Sequence, residues 1–151
     1  MNRHSLLYGN DPADPAGQAV RGQRVYCSNR GQRGGCGRTF SLFLAVVLPR
    51  HSLTATGLWS LLAALLSQRS VRAAAQSVRQ PLALESVYHL LSRLRQQLDV
   101  LRSVLCRRQK EPVSAQADPL RHTVEHLQNI FAAAPCPVSE FQLAFQQPFL
   151  G

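Results

Sequence analysis

The chain has 151 residues, of which 45% are apolar, and its formal net charge at neutral pH is +9. This length allows one modest domain or two small ones, and the apolar fraction excludes a wholly disordered chain. Residues 1–50 carry a net charge of +5, residues 51–110 carry +7, and residues 111–151 carry −3. A basic body of this kind suits a polyanion, most simply nucleic acid, although a GC-rich genome would also favour arginine codons.

No stretch of the sequence has the pattern of a membrane span or a targeting signal. The apolar run from Leu42 to Leu48 is too short to cross a bilayer, and the residues after Met1 contain no apolar core of the signal-peptide type. The four cysteines are scattered rather than arranged as a secreted disulfide framework. We therefore expect a cytoplasmic protein with reduced cysteines and no membrane partner.

The first 48 residues divide into two parts. Residues 1–22 are predicted to be a loop-rich segment, because they abound in Asp, Pro, Gly and Asn. Residues 23–48 are predicted to form a small β element, in which a β-favouring triplet ends in Cys27, and a glycine-rich turn leads to Cys-Gly-Arg-Thr-Phe from Cys36 to Phe40. This hairpin is expected to pack on the helices that follow through four apolar side chains, those of Tyr26, Phe40, Leu42 and Leu44.

Residues 52–110 are predicted to form three helices. The first follows a cap at Ser52 or Thr54 and ends near residue 67, and the second follows a cap at Ser70 and ends near residue 78. Pro81 bars a continuous helix through the turn at residues 79–83. The third is predicted as one long helix from about residue 84 to residue 110, with an apolar stripe at Val87, Leu91, Leu94, Leu98, Leu101 and Leu105.

Three helices with a short proline-marked break are the layout of a helix-turn-helix, in which the last helix enters a DNA groove. The sequence therefore predicts a mainly α fold, in which a helix-turn-helix domain follows a small β element. The apolar stripe of the third helix spans about three heptads. It is expected either to pack on the first helix or to pair with a second copy, which would place two reading helices on two half-sites.

The second and third predicted helices carry the residues best suited to DNA. Ser86, His89 and Arg93 lie off the apolar stripe and are candidates for base-edge contacts, with Arg93 suited to guanine. A further set of arginines is suited to phosphate contacts: Arg72, Arg79, Arg95, Arg107 and Arg108. The alternative for each arginine is a solvated surface charge with no ligand.

Residues 111–151 are predicted as a polar linker, a helix over about residues 119–134 and an apolar tail. His122 and His126 are four residues apart on this helix, and without a third ligand we expect an ordinary surface pair. The tail is expected to need cover, either from the chain's own body or from a partner, because its side chains are large and apolar: Phe141, Leu143, Phe145, Phe149 and Leu150.

From about Arg24 to Arg108, the order of these motifs resembles the front end of bacterial insertion-sequence transposases and transposon accessory proteins, in which a zinc ribbon precedes a helix-turn-helix. The resemblance rests on the Cys-Gly-Arg-Thr-Phe sequence and on Ser-Val-Arg-Ala-Ala-Ala from Ser70. It implies a DNA-end-binding module, with Cys27 and Cys36 as zinc ligands.

Cys27 and Cys36 would supply only half of a zinc site. A structural zinc site uses four ligands, and no cysteine precedes Cys27 in this sequence. Either the first cysteine pair is encoded upstream of an internal methionine, or the ribbon is degenerate and holds no metal. Because two plausible ligands are present rather than four, we expect zinc to be absent from this chain.

The resemblance does not extend to an active transposase. In such families a separate catalytic domain holds Mg²⁺ with three carboxylates, and the residues after Lys110 are too few to form it. No other catalytic motif is present, so we predict a DNA-binding accessory or truncated transposase protein of a mobile element without catalytic activity. Its expected partners are double-stranded DNA and either a second copy or a transposase. Two alternatives stay open: a helix-turn-helix transcriptional regulator, and a protein-interaction module that uses the heptad stripe and the C-terminal tail.

Overall fold

The computed structural model describes residues 2–11, 16–31, 34–68, 70–78, 82–114 and 116–150. Within these residues an antiparallel sheet of three strands comes first and six helices follow, which confirms a mainly helical fold with a preceding β element. The strands are β1 (Asn2–Asn10), β2 (Gln18–Tyr26) and β3 (Thr39–Phe43). The helices are α1 (Ala55–Ser67), α2 (Val71–Ser77), α3 (Leu84–Gln96), α4 (Leu98–Cys106), α5 (Pro119–Ile130) and α6 (Pro137–Phe145).

The segment predicted to be loop-rich instead forms β1 and the start of β2. The two strands pair in antiparallel fashion from Asn2 opposite Tyr26 to Asn10 opposite Gln18. The turn-favouring residues are concentrated between the strands, where residues 12–15 lie outside the described part of the chain. The prediction of a loop was wrong because it extended this local turn chemistry to flanking residues, whose strand pairing depends on a partner distant in sequence.

β2 and β3 form a hairpin at the predicted place, but three of the four apolar side chains expected to pack on the helices are about half exposed. Phe40, Leu42 and Leu44 are 42%, 53% and 48% exposed. The sheet is joined to the helical body by Arg21, whose Nη2 donates a hydrogen bond to the carbonyl oxygen of His51 at 2.8 Å. The hairpin therefore leaves a set of apolar side chains in solvent.

α1 lies at the centre of the helical core, where it packs against α2, α5 and α6. Thr54 is its N-cap, as one of the two predicted alternatives, and the Thr54 hydroxyl accepts a hydrogen bond from the amide of Gly57 at 3.1 Å. Leu58, Leu61 and Leu62 are fully buried. Their spacing places them on one face of the helix, so α1 contributes the stripe around which the other helices assemble.

α2 and α3 also begin where the sequence predicted. The hydroxyl of Ser70 caps α2 by accepting a hydrogen bond from the amide of Ala73 at 3.2 Å. α2 packs against both α1 and α3, and α3 begins at Leu84. The order of three helices that defines the predicted helix-turn-helix is therefore present, whereas residues 79–81 of its turn lie outside the described part of the chain.

The long third helix of the prediction is two helices, α3 and α4, with a break at Gln97. The backbone of Gln97 has φ −103° and ψ 0°, and its amide bonds to the carbonyl oxygen of Leu94 at 3.0 Å, which tightens the last turn of α3. No glycine or proline lies at this break, so the local sequence did not indicate that the helix would be interrupted. The break lets α4 pack against α5, and the buried Leu101 and Leu105 of the heptad stripe belong to the chain's own core.

The linker before α5 is held by two histidines that were expected to lie on the surface. His126 is fully buried, and its Nε2 bonds to the carbonyl oxygen of Gln109 at 3.0 Å, whereas its Nδ1 has no hydrogen-bond partner among the described residues. His122 Nε2 bonds to the carbonyl oxygen of Pro112 at 3.0 Å, and its Nδ1 lies 3.6 Å from Glu111. The surface-pair prediction was wrong because the linker folds back over α5.

Most of the apolar tail is covered by the chain's own body, and Leu143 stays 52% exposed. Residues that alternated in the sequence form α6, which begins with Pro137 in its first turn, a position that proline favours. Phe141 and Leu150 are fully buried, and Phe149 is 2% exposed. Each helix in the described part of the chain is too short or too polar to cross a bilayer.

Candidate nucleic-acid interface

One face of α3 is buried in the core, and this sets the direction in which its exposed side chains point. Val87, Leu91 and Leu94 are fully buried and belong to the main apolar cluster. Other side chains of this helix are exposed, among them those of Ser86, His89 and Arg93. Because the apolar face cannot rotate out of the core without losing this burial, α3 presents a constant polar surface to solvent.

The predicted base-contacting residues lie together on this surface. Successive residues of a helix are turned by about 100°, so positions three and four apart are neighbours on one side. Ser86, His89 and Arg93 have this spacing and form one row along α3. His89 Nε2 lies 3.6 Å from the carboxylate of Glu85, one turn earlier. The sequence-predicted set is therefore brought onto a single exposed row.

A histidine that the sequence analysis missed lies close to this row. Burial, and secondarily the nearby charge of Arg93, lower the pKa of His51 below its ordinary value. The carbonyl of His51 accepts the hydrogen bond from Arg21. The loop before α1 thus brings His51 near both Arg21 of the sheet and Arg93 of α3. No local motif could have revealed this, because the contact joins segments about 40 residues apart.

Arg95 points away from the row. It is two residues after Arg93, so the two side chains leave the helix in directions that differ by about 160°. Its Nη2 lies 3.6 Å from the carboxylate of Asp118, which also caps α5 by accepting a hydrogen bond from the amide of Leu120. Arg95 is therefore partly committed to an ion pair at the start of α5.

Arg72 lies at the entrance to the α2–α3 unit. It lines an open groove of about 420 Å³ whose other walls come from α2 and from the start of α3, with Ala75, Gln76, Val78, Leu82 and Leu84. This position places an arginine beside the N-terminal end of α3, where a DNA phosphate would lie next to a helix inserted in a groove. Arg79, the other predicted phosphate contact of this region, lies outside the described residues.

Arg107 and Arg108 are exposed at the end of α4, and the structure does not bring them to the row on α3. The guanidinium of Arg108 lies over the ring of Phe131, and the Arg108 Cζ atom is 5.1 Å from the ring centroid. Phe131 follows the C-terminal end of α5, whereas Arg95 contacts the N-terminal cap of the same helix. A helix of 12 residues is about 18 Å long, so the two sites lie at opposite ends of α5.

Cys27 and Cys36 are brought together at the base of the β2–β3 hairpin. The amide of Cys36 donates to the sulfur of Cys27 at 3.4 Å, and Gly37, with φ +68°, allows the backbone to turn at this point. This hydrogen bond lowers the pKa of the Cys27 thiol. No group of three or more metal-ligating side chains occurs within the described residues. The pair would supply two of the four ligands of a tetrahedral zinc site, and two sulfurs do not complete one.

Comparison with known proteins adds no family to this description. No family model, curated protein or solved structure matches the chain.

Proposed function

We propose that the protein binds double-stranded DNA through the exposed row on α3, as a transposase-like accessory or truncated protein without catalytic activity. The observation that carries this proposal is the division of α3 into two faces. Val87, Leu91 and Leu94 are buried in the core, and an exposed side of the helix presents Ser86, His89 and Arg93. A helix held in this way can enter a major groove with its hydrogen-bonding side chains already directed at base edges.

The charges around α3 favour a polyanion over a neutral partner. Arg93 and Arg72 are exposed, and neither belongs to an ion pair within the described part of the chain. Arg93 can grip a guanine or a phosphate, and Arg72 can hold a phosphate beside the start of the helix.

Most of the surface on which the protein-interaction alternative relied is buried, although Leu143 of the tail is 52% exposed. That alternative relied on the heptad stripe and on the apolar tail, but Leu101, Leu105 and Phe141 are buried in the chain's own core. A transcriptional regulator would use the same face of α3 and would differ in the DNA site that it binds. The same DNA-binding measurement therefore tests the regulator alternative.

The experiment is binding of a fluorescent random duplex, followed by anisotropy across a salt series. If Arg72 and Arg93 each neutralise one phosphate, log K should fall with log salt with a slope of about −2. Arg93→Gln should weaken binding roughly tenfold and make the slope shallower by about one unit. Arg108→Gln removes the same charge at the far end of α5 and should leave affinity within about twofold of wild type.

Two results would overturn the proposal. The first is no binding at low salt by a protein whose circular dichroism shows a folded chain. The second is an equal loss for Arg93→Gln and Arg108→Gln, because it would assign binding to net charge rather than to the face of α3.

A further inference from the structure

The outer edge of β3 pairs with no other strand in the described part of the chain and carries no protective residue, and its last three residues line a groove of about 340 Å³ whose other wall includes Gln142 and Leu143 of α6. β3 is the last strand of the sheet, so within the described residues no strand pairs with its outer side. All five of its residues are exposed, and the sequence Thr-Phe-Ser-Leu-Phe contains no charge, no proline and no glycine. Proteins usually block such an edge with charges, bulges or proline, since an unblocked edge pairs with another strand.

The opposite edge of the same sheet is protected. β1 has register irregularities between Arg3 and Ser5 and between Leu7 and Tyr8, which interrupt its regular pairing pattern. It also carries the exposed Arg3 and His4 near its start. The two edges therefore differ, and only the β3 edge has the regular and uncharged character of a pairing surface.

The hydrogen bonds that flank β3 show which of its backbone groups are free. The amide of Leu44 donates to the carbonyl oxygen of Arg21, and the amide of Cys27 donates to the carbonyl oxygen of Arg38, both at 2.9 Å. Residues 38 and 44 thus direct their backbone groups at β2, and alternation along an antiparallel strand assigns residues 40 and 42 the same direction. The N–H and C=O groups of Thr39, Ser41 and Phe43 therefore point outward.

We propose that β3 pairs with β3 of a second copy of this chain, antiparallel and centred on Ser41. In this register Ser41 lies opposite its own counterpart, and Thr39 lies opposite Phe43 of the other copy. Every outward N–H and C=O of the strand then finds a partner, because outward residues face outward residues. Phe40 lies opposite Leu42 of the other copy, so exposed apolar side chains meet across the two-fold axis.

Arg24, the charged residue of β2 nearest to the centre of this pairing, does not oppose it. Arg24 lies opposite Ser41 in the β2–β3 ladder. In the paired copies, the two Arg24 residues are separated by three strand spacings, or about 14 Å, which exceeds the screening length of about 8 Å at physiological salt. A second copy therefore fits this edge in hydrogen bonding, in side-chain chemistry and in charge, and the pairing does not depend on DNA binding.

The test is sedimentation velocity without DNA, at protein concentrations from about 1 µM to about 100 µM, which resolves micromolar dissociation constants. Wild type should change from monomer to dimer across this series. Ser41→Pro removes an outward N–H that β2 does not use, and Leu42→Lys places a charge on the edge. Each should raise the dissociation constant of the dimer at least about tenfold.

Tyr8→Lys is the matched control, because Tyr8 is an exposed residue of the opposite edge strand and receives the same charge. It should dimerise like wild type, and far-UV circular dichroism should show that all three variants are folded. The proposal is overturned if wild type stays monomeric throughout, if both edge variants dimerise normally, or if Tyr8→Lys weakens the dimer as much as Leu42→Lys.

Discussion

Gln142 of α6 holds three separate parts of the chain together. Its Nε2 donates to the carbonyl oxygens of Ala45 and Val47, in the segment that leads from the sheet to α1. Its Oε1 accepts a hydrogen bond from the amide of Phe149 at 3.0 Å, which fixes the C-terminal tail. Gln142→Leu keeps the approximate volume of the side chain and removes all three hydrogen bonds.

The expected loss follows from the burial of the partners. Val47 is 7% exposed and Phe149 is 2% exposed, so water cannot readily replace the lost bonds to their backbone groups. Each buried group left without a partner costs about 1–3 kcal/mol, whereas the half-buried Ala45 can regain water. With two such groups, and with some gain from the added apolar surface, Gln142→Leu should lower the free energy of unfolding by about 2–4 kcal/mol.

Urea denaturation followed by the fluorescence of Trp59, the only tryptophan, measures this loss. A loss of this size should lower the urea midpoint by about 1–2 M at the slopes typical of small domains. Gln128→Leu makes the same change on the exposed side of α5 and should stay within about 0.5 kcal/mol of wild type. A Gln142→Leu protein as stable as the Gln128→Leu control would refute the assigned role of these hydrogen bonds.

Three further predictions concern stability. Ser70→Ala should lower the unfolding free energy by about 1 kcal/mol and Ser70→Gly by only a few tenths, and equal losses would contradict the capping role. Leu91→Ala should cost about 2–5 kcal/mol, against less than about 1 kcal/mol for Tyr88→Ala on the exposed side of α3, and similar losses would contradict the two-faced helix. Burial lowers the pKa of His126 below 6.5, so the unfolded chain takes up that proton first and stability should fall as the pH drops below about 6.5. The lowered pKa of His51 contributes to the same loss of stability in acid. The hydrogen bond from Arg102 lowers the pKa of Glu111, so stability should fall further below about pH 4.5. In His126→Gln, the midpoint temperature of thermal unfolding should change less between pH 7 and about pH 5.5 than it does in wild type. An unchanged pH profile would contradict this assignment.

The sequence correctly predicted the starts of the helices that have a side-chain N-cap. Thr54 and Ser70 mark the starts of α1 and α2, and the spacing of leucines marks the buried face of α3. These features depend on residues within one or two turns of each other, so they can be read from a short window of sequence. The row of Ser86, His89 and Arg93 follows from the same periodicity.

Features that depend on distant partners were not predicted. β1 exists because it pairs with β2, and α4 separates from α3 at Gln97 in a stretch without glycine or proline. His126 is buried because the linker crosses α5, and His51 approaches Arg93 because the loop before α1 reaches α3. In each case the structure depends on an interaction between segments that are distant in sequence, which the spacing of apolar residues does not reveal. Such tertiary contacts override local secondary-structure propensity.

The most direct test of the DNA proposal is a titration of ¹⁵N-labelled protein with a short duplex, followed by amide chemical shifts. Binding through α3 should perturb the amides around Ser86, His89 and Arg93 first, together with those around Arg72 beside the groove. The amides around Arg108, at the far end of α5, should stay unchanged. Shifts confined to the region of Arg108 or to the sheet, with α3 unaffected, would contradict the proposal that α3 is the DNA-binding face.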